Sequence, residues 1–181
     1  MEPVKEYEEI GYVVKEFDFA SEVSRFRKEI LSIFDLVARH NGLAPIKTDQ
    51  DVVDLYRGPN NYLWKQAHSV VELLPIQNWF ASNATLLEFV GMLGIQKPVF
   101  TSHHEVRVDM PNDLHYGKRT IHQDGVYSRG SKRSLVVWIP LQDTDKEIGA
   151  VCVAPRTHQF GLLPNKNGII YDFPEKLFID K

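Results

Sequence analysis

Residues 119–143 read RTIHQDGVYSRGSKRSLVVWIPLQD, and this stretch holds the strongest signals for both fold and chemistry. It begins with His122 and Asp124, which one residue separates. Side chains two residues apart in an extended segment lie on the same side, so this imidazole and this carboxylate can bind one metal ion from two directions. A third ligand from elsewhere would complete a two-His-one-carboxylate site, the arrangement of non-heme Fe(II) oxygenases. The alternative for the pair alone is a surface His and a turn Asp at the end of a strand.

The residues around this stretch predict strands after it and helices before it. Residues 99–110, 120–127, 134–141, 149–154 and 168–171 are rich in β-formers and bounded by turn residues, and residues 11–17 form one earlier strand of the same kind. Apolar side chains at helical spacing predict a helix over residues 22–39, with Ser21 as its N-cap and Asn41-Gly42 at its end. A shorter helix is expected within residues 50–56, and another begins at Asn83 and ends at Gly94.

The order of these elements predicts the fold class and the domain organisation. A chain of 181 residues suggests a single domain with its own core. Helices in residues 1–96 followed by short strands in residues 97–181 predict an α+β fold, mainly β, with a sandwich or barrel that the N-terminal helices cover on one side.

Composition excludes several classes of function. A net charge of −3 disfavours a general nucleic-acid binder, because phosphate binding relies on clustered Lys and Arg. The sequence has no apolar run long enough for a membrane span, and its acidic first ten residues do not resemble a secretory signal. The single cysteine, Cys152, cannot form an internal disulfide. These features predict a cytoplasmic protein.

Three motifs in a fixed order resemble the phytanoyl-CoA dioxygenase family of Fe(II)- and 2-oxoglutarate-dependent oxygenases. The first is His122-Gln-Asp124, and the second is Trp138-Ile-Pro-Leu-Gln-Asp143, similar to the family's Trp-x-Pro-Leu-x-Asp. The third is Gly149-Ala-Val-Cys-Val-Ala-Pro-Arg-Thr-His158, in which Arg156 stands where the family has glycine. The resemblance covers most of the chain and is most specific over residues 99–161.

The resemblance implies a fold, a reaction and roles for four residues. The fold is a double-stranded β-helix of the jelly-roll or cupin-like kind. The reaction is hydroxylation of a small organic molecule, with Fe(II) as the metal and 2-oxoglutarate as the cosubstrate. His122 and Asp124 become metal ligands, Trp138 lies beside the 2-oxoglutarate, and Lys65 reaches the cosubstrate.

Two parts of the family's pattern have no counterpart in this sequence. The family places its third metal ligand well after the third motif and, further on, an arginine that pairs with the distal carboxylate of 2-oxoglutarate. Residues 159–181 contain neither His nor Arg. Three interpretations stay open: a fragment of a longer enzyme, a site in which His158 substitutes as the third ligand, or a degenerate member that binds metal weakly or not at all.

The missing elements also predict an incomplete barrel and suggest other functions. Unpaired strand edges favour self-association, or completion of the barrel by a partner segment. A truncated, non-catalytic β-helix module acting by binding or assembly is therefore the alternative to an oxygenase. A cupin-like metal enzyme of another type is a third hypothesis, for which His104 together with His122 and Asp124 provides a conceivable zinc site.

Overall fold

Six α-helices account for most of the regular structure in the computed structural model, which describes residues 2–100, 105–108, 121–124, 134–145, 148–166 and 169–170. The helices are α1 (Pro3–Ile10), α2 (Ala20–His40), α3 (Asp49–Arg57), α4 (Asn61–Val71), α5 (Ile76–Ser82) and α6 (Ala84–Met92). The β structure within these ranges is one antiparallel pair, β1 (Asn165–Lys166) and β2 (Ile169–Ile170), in which Asn165 lies opposite Ile170.

The longest helix, α2, forms where the apolar spacing predicts it, but it begins differently. Phe26, Phe34 and Ala38 are buried on one face, and the helix ends at His40 with Asn41 as its C-cap, after which Gly42 takes a φ of 72°. Phe19, not Ser21, is the N-cap residue, and it makes no side-chain capping bond. The Ser21 hydroxyl instead donates to the carboxylate of Glu22 at 2.6 Å, so the predicted cap is wrong by two residues.

Two shorter helices begin with side chains that bind the free backbone N–H groups of the first turn. Thr48 Oγ1 accepts from the N–H of Asp51, and the Asp51 carboxylate accepts in return from the N–H of Thr48, which is a capping box at the start of α3. Asn83 Oδ1 accepts from the N–H of Leu86 at 3.1 Å, which confirms Asn83 as the cap of α6. These caps fix the first turns of α3 and α6.

The core lies between α2, α3 and α4, which pack against one another. Phe34, Leu63 and Val71 are its largest fully buried side chains. A few residues of the later chain contribute to the same core, namely Val106, Val108, Ile139 and Leu141. His68 on α4 links the two parts, because its ring stacks on Trp64 and its Nε2 lies 2.8 Å from the carbonyl oxygen of Val106.

The predicted mainly-β architecture is wrong for the part of the chain that the structure describes. The predicted strands 11–17, 134–141 and 149–154 are fully described and none is assigned as strand. Of the predicted strand 168–171, the described residues 169–170 form β2, and the predicted strands 99–110 and 120–127 lie partly outside the described residues. The described residues therefore contain no double-stranded β-helix, complete or incomplete, with helices on one side. The physical reason is that β-branched and aromatic runs such as Leu-Val-Val-Trp favour strands only where another strand supplies hydrogen-bond partners.

Most of the core comes instead from helices, several of which the sequence patterns did not predict. Helices α1, α4 and α5 fall in regions for which no helix was expected. Among the described residues, no helix combines the length and the apolar character required to cross a membrane.

Candidate metal centre

The side chains of His122 and Asp124 lie close together. Nε2 of His122 lies 3.2 Å from Oδ1 of Asp124, and their side chains are 27% and 51% exposed. Two donor atoms that are each about 2.1 Å from a metal ion and subtend roughly a right angle lie about 3 Å apart. The observed separation therefore fits two adjacent ligands of one ion, and it equally allows a hydrogen bond from the ring N–H to the carboxylate.

The segment that carries this pair is held by the chain beyond residue 160. The N–H of Ile170 donates to the carbonyl of Ile121 at 3.1 Å. The side-chain amide of Gln123 makes two further bonds: Nε2 donates to the carbonyl of Gly161 at 2.9 Å, and Oε1 accepts from the N–H of Leu163 at 2.7 Å. Three hydrogen bonds thus hold residues 121–123 at both backbone and side chain.

His158, the candidate substitute ligand, lies at the end of helix α1 and does not join the pair. Its Nε2 is 3.0 Å from the carbonyl oxygen of Glu8, and its Nδ1 faces Gly11. Two neighbouring residues bind the same end of α1. The N–H of Arg156 donates to the carbonyl of Ile10 at 2.6 Å, and Nε2 of Gln159 donates to the carbonyl of Glu9 at 3.4 Å. Carbonyl groups in the last turn of a helix lack intrahelical partners, so this imidazole is used in capping.

A third ligand is not found among the described residues. No cluster of three His, Cys, Asp or Glu side chains suited to a metal occurs in that part of the chain. His104, the partner in the conceivable zinc site, lies outside the described residues, as does its neighbour His103. The described part therefore brings together two side chains of the types that a facial triad uses, without a third beside them.

The two residues assigned to the cosubstrate by resemblance both have exposed side chains. Trp138 is 43% exposed and lies between Val137 and the partly buried Ile139. Lys65 is on the exposed face of α4, next to the buried Trp64. The hydrogen bonds and ion pairs seen in the described ranges do not connect Lys65 to His122 or Asp124.

Gln123 is the residue of this region that the sequence patterns missed. The His-x-Asp motif treats its middle position as variable, and the partners of Gln123 are about forty residues away along the chain. One signal was available: alternation along an extended segment directs the middle residue away from its two neighbours, and a glutamine there has both donors and an acceptor that can bind another part of the chain.

Comparisons with protein families, with curated proteins and with solved structures find no match to this chain. The oxygenase resemblance therefore depends on its three motifs alone.

Proposed function

We propose that this protein is an Fe(II)- and 2-oxoglutarate-dependent dioxygenase that hydroxylates a small organic substrate, or is part of one. The observation that carries the proposal is the 3.2 Å approach of His122 Nε2 to Asp124 Oδ1, which suits adjacent ligands of one metal ion. The order of the three motifs adds chemical context, since a Trp-x-Pro-Leu element follows the ligand pair as it does in the family that the chain resembles.

The residues have distinct tasks in this proposal. His122 and Asp124 would hold the iron, which would supply oxidation by O₂ coupled to decarboxylation of 2-oxoglutarate when bound. The carboxylate of Asp124 lowers the net charge of the centre. Because half of its side chain is exposed, solvent and small molecules can reach His122 and Asp124. Trp138 and Lys65 keep the roles given by resemblance, as the wall beside 2-oxoglutarate and as a cation for its carboxylate. A cytoplasmic location belongs to the same proposal.

The test begins with anaerobic addition of Fe(II) and 2-oxoglutarate to the protein. A weak visible metal-to-ligand charge-transfer band is expected, followed by succinate formation when air is admitted. His122→Ala and Asp124→Ala should each abolish the band and the succinate, because each removes a ligand. The matched control is His40→Ala, which deletes an exposed histidine at the end of α2 and should behave as the unchanged protein does.

The outcomes of this test separate the hypotheses. A chain that gives neither band nor succinate is not an oxygenase of this kind. Metal binding that requires His122 but is indifferent to 2-oxoglutarate indicates a metal enzyme of another type.

The second candidate function is a non-catalytic module that acts by binding or assembly. The observation that favours it is the exposure of apolar side chains in two places. Val136, close to Trp138, is 67% exposed, and Phe160, just after the third motif, is 65% exposed. Monomeric proteins limit such exposure, and larger apolar patches mark interaction sites. A protein that self-associates and shows no response to Fe(II) supports this candidate.

A further inference from the structure

The side chain of Gln123 bridges two backbone groups of residues 161–163. Its amide N–H donates to the carbonyl of Gly161 and its amide oxygen accepts from the N–H of Leu163. Gly161 and Leu163 lie on either side of a bend at Leu162, so these two groups are not paired in a strand ladder. The amide therefore satisfies two backbone groups at once, with both of its ends in use.

The backbone conformation of Gly161 sets the direction of its carbonyl, which is one of the two groups that Gln123 binds. Gly161 has a φ of 67° and a ψ of −152°, a combination that is accessible essentially to glycine alone. It follows the 3-10 helix Thr157–Phe160 directly, and its own N–H donates to the carbonyl of His158 at 3.3 Å. The Gly161 carbonyl that accepts from Gln123 thus belongs to a turn whose geometry is already fixed.

Gln123 lies between the two residues whose side chains approach each other. His122 and Asp124 approach to 3.2 Å, while the residue separating them is bound to residues 161–163. The backbone bond from Ile170 to Ile121 holds the same segment one residue earlier. Rotation of the segment about its axis would break the bonds of Gln123 and redirect both ligands together.

We infer that Gln123 is the positioning residue of the metal centre, which holds His122 and Asp124 in a geometry ready for a divalent cation. The inference deepens the proposed function and rests on it. Groups that orient metal ligands without touching the ion typically contribute about 10–100-fold to metal affinity. Because linkage is reciprocal, a cation bound at His122 and Asp124 must in turn strengthen the bonds of Gln123 to residues 161–163.

Mn(II) is a suitable probe, since it prefers the same N and O ligands and its free form is measured directly by electron paramagnetic resonance. The variant is Gln123→Met, which keeps the length of the side chain and removes both hydrogen bonds. We expect its Kd for Mn(II) to rise about 10–100-fold. His122→Ala should eliminate the site, and the matched control Gln142→Met, at an exposed glutamine, should leave the Kd unchanged.

The results distinguish the inference from the function on which it rests. Suppose that the unchanged protein binds Mn(II), that His122→Ala abolishes this binding and that Gln123→Met does not. The inference would then be overturned and the proposed function kept. If Gln123→Met lowers the thermal stability but leaves the Kd for Mn(II) unchanged, Gln123 has a purely structural role. That result would also overturn the inference. Absence of Mn(II) binding by the unchanged protein removes the metal centre altogether.

A second measurement needs no variant and covers the case in which Gln123→Met does not fold. Hydrogen exchange of the unchanged protein is followed with and without saturating Mn(II). The Leu163 amide, which donates to Gln123, should exchange more slowly when the cation is bound, and the Leu86 amide at the start of α6 should not change. Equal exchange of Leu163 in both conditions contradicts the coupling.

Discussion

Gly11 is the residue at which the end of helix α1 meets the later chain. Its φ is 92°, and a Cβ at this position would lie 2.3 Å from Nδ1 of His158. The imidazole and the N–H of Arg156 bind the last carbonyls of α1 at the same place, those of Glu8 and Ile10. Only glycine combines this backbone conformation with so close an approach.

We predict that Gly11→Ala destabilises the protein by more than the cost of the backbone conformation alone, which is about 1–2 kcal/mol. The excess arises because the methyl group must displace the His158 ring from the end of α1. Urea unfolding measures the change. Gly42→Ala is the matched control, since Gly42 also has a positive φ, of 72°, but no atom lies within 4 Å of its added Cβ. Equal losses for the two variants would show that the His158 contact contributes nothing.

At the scale of single residues, sequence reasoning reached only partners that are close along the chain. His122 and Asp124 lie 3.2 Å apart, although Asp124 belongs to a 3-10 turn and the segment is not the strand that the alternation assumed. Sequence reasoning could not find the partner of Gln123 or of His158, because Gly161 and Glu8 are 38 and 150 residues away from them. Those contacts depend on tertiary structure, which a local pattern does not contain.

At the scale of the element, the start of α3 shows how a short helix is stabilised. Three hydrogen-bond donors lower the pKa of the Asp51 carboxyl group. The backbone N–H of Lys47 has the largest effect, followed by the hydroxyl and then the backbone N–H of Thr48. These donors favour the ionised form, so the carboxylate stabilises the folded state while it is charged. Because the folded pKa is lower than the unfolded one, this stabilisation is complete above the unfolded pKa, about 4, and is lost as the pH falls through the folded pKa.

Asp51→Asn should therefore lower the Tm at neutral pH, and the difference from the unchanged protein should shrink as the pH falls below about 4. Thermal unfolding followed by circular dichroism across that range measures it. Asn83→Ala provides the control, because it removes the uncharged cap of α6 and should cost about 1 kcal/mol at each pH. A Tm difference for Asp51→Asn that is constant with pH would contradict the role of the charge.

Helices α2 and α6 were predicted from apolar spacing and a cap. Helix α3 was expected within residues 50–56 without either signal, and the boundaries of all three are displaced by one to a few residues. Helix α4 was missed, although Leu63, Trp64, Ala67 and Val71 are buried at helical spacing. The basic and polar residues between them, among them His68, obscured the period, and His68 itself contacts Trp64 and Val106 in the folded chain.

At the scale of the whole molecule, the strand predictions failed for a reason that helix predictions do not share. A helix satisfies its hydrogen bonds within its own segment, whereas a strand needs a neighbour that may be any distance away along the chain. Residues 134–141 and 149–154 carry strand-forming side chains but are not paired in a ladder within the described ranges. Their apolar side chains are consequently left partly exposed.

These side chains lead to a prediction about association. Large exposed apolar residues concentrate between residues 136 and 162, where they are 42–67% exposed: Val136, Val137, Trp138, Ile148, Val151, Val153, Phe160 and Leu162. Burial of such surface against a second copy of the chain is favourable by about 25 cal/mol per Å² of apolar area. We therefore expect the protein to self-associate as its concentration rises.

Sedimentation velocity over a hundredfold range of concentration measures this association. The double variant Val136→Lys/Val153→Lys should sediment as a monomer throughout, since two charges on this apolar region would have to be desolvated on contact. Val14→Lys is the matched control, because Val14 is 81% exposed but belongs to the segment between α1 and α2. It should associate as the unchanged protein does. A monomeric unchanged protein at every concentration would exclude a second copy as the partner of this region, and association abolished equally by Val14→Lys would place the contact elsewhere.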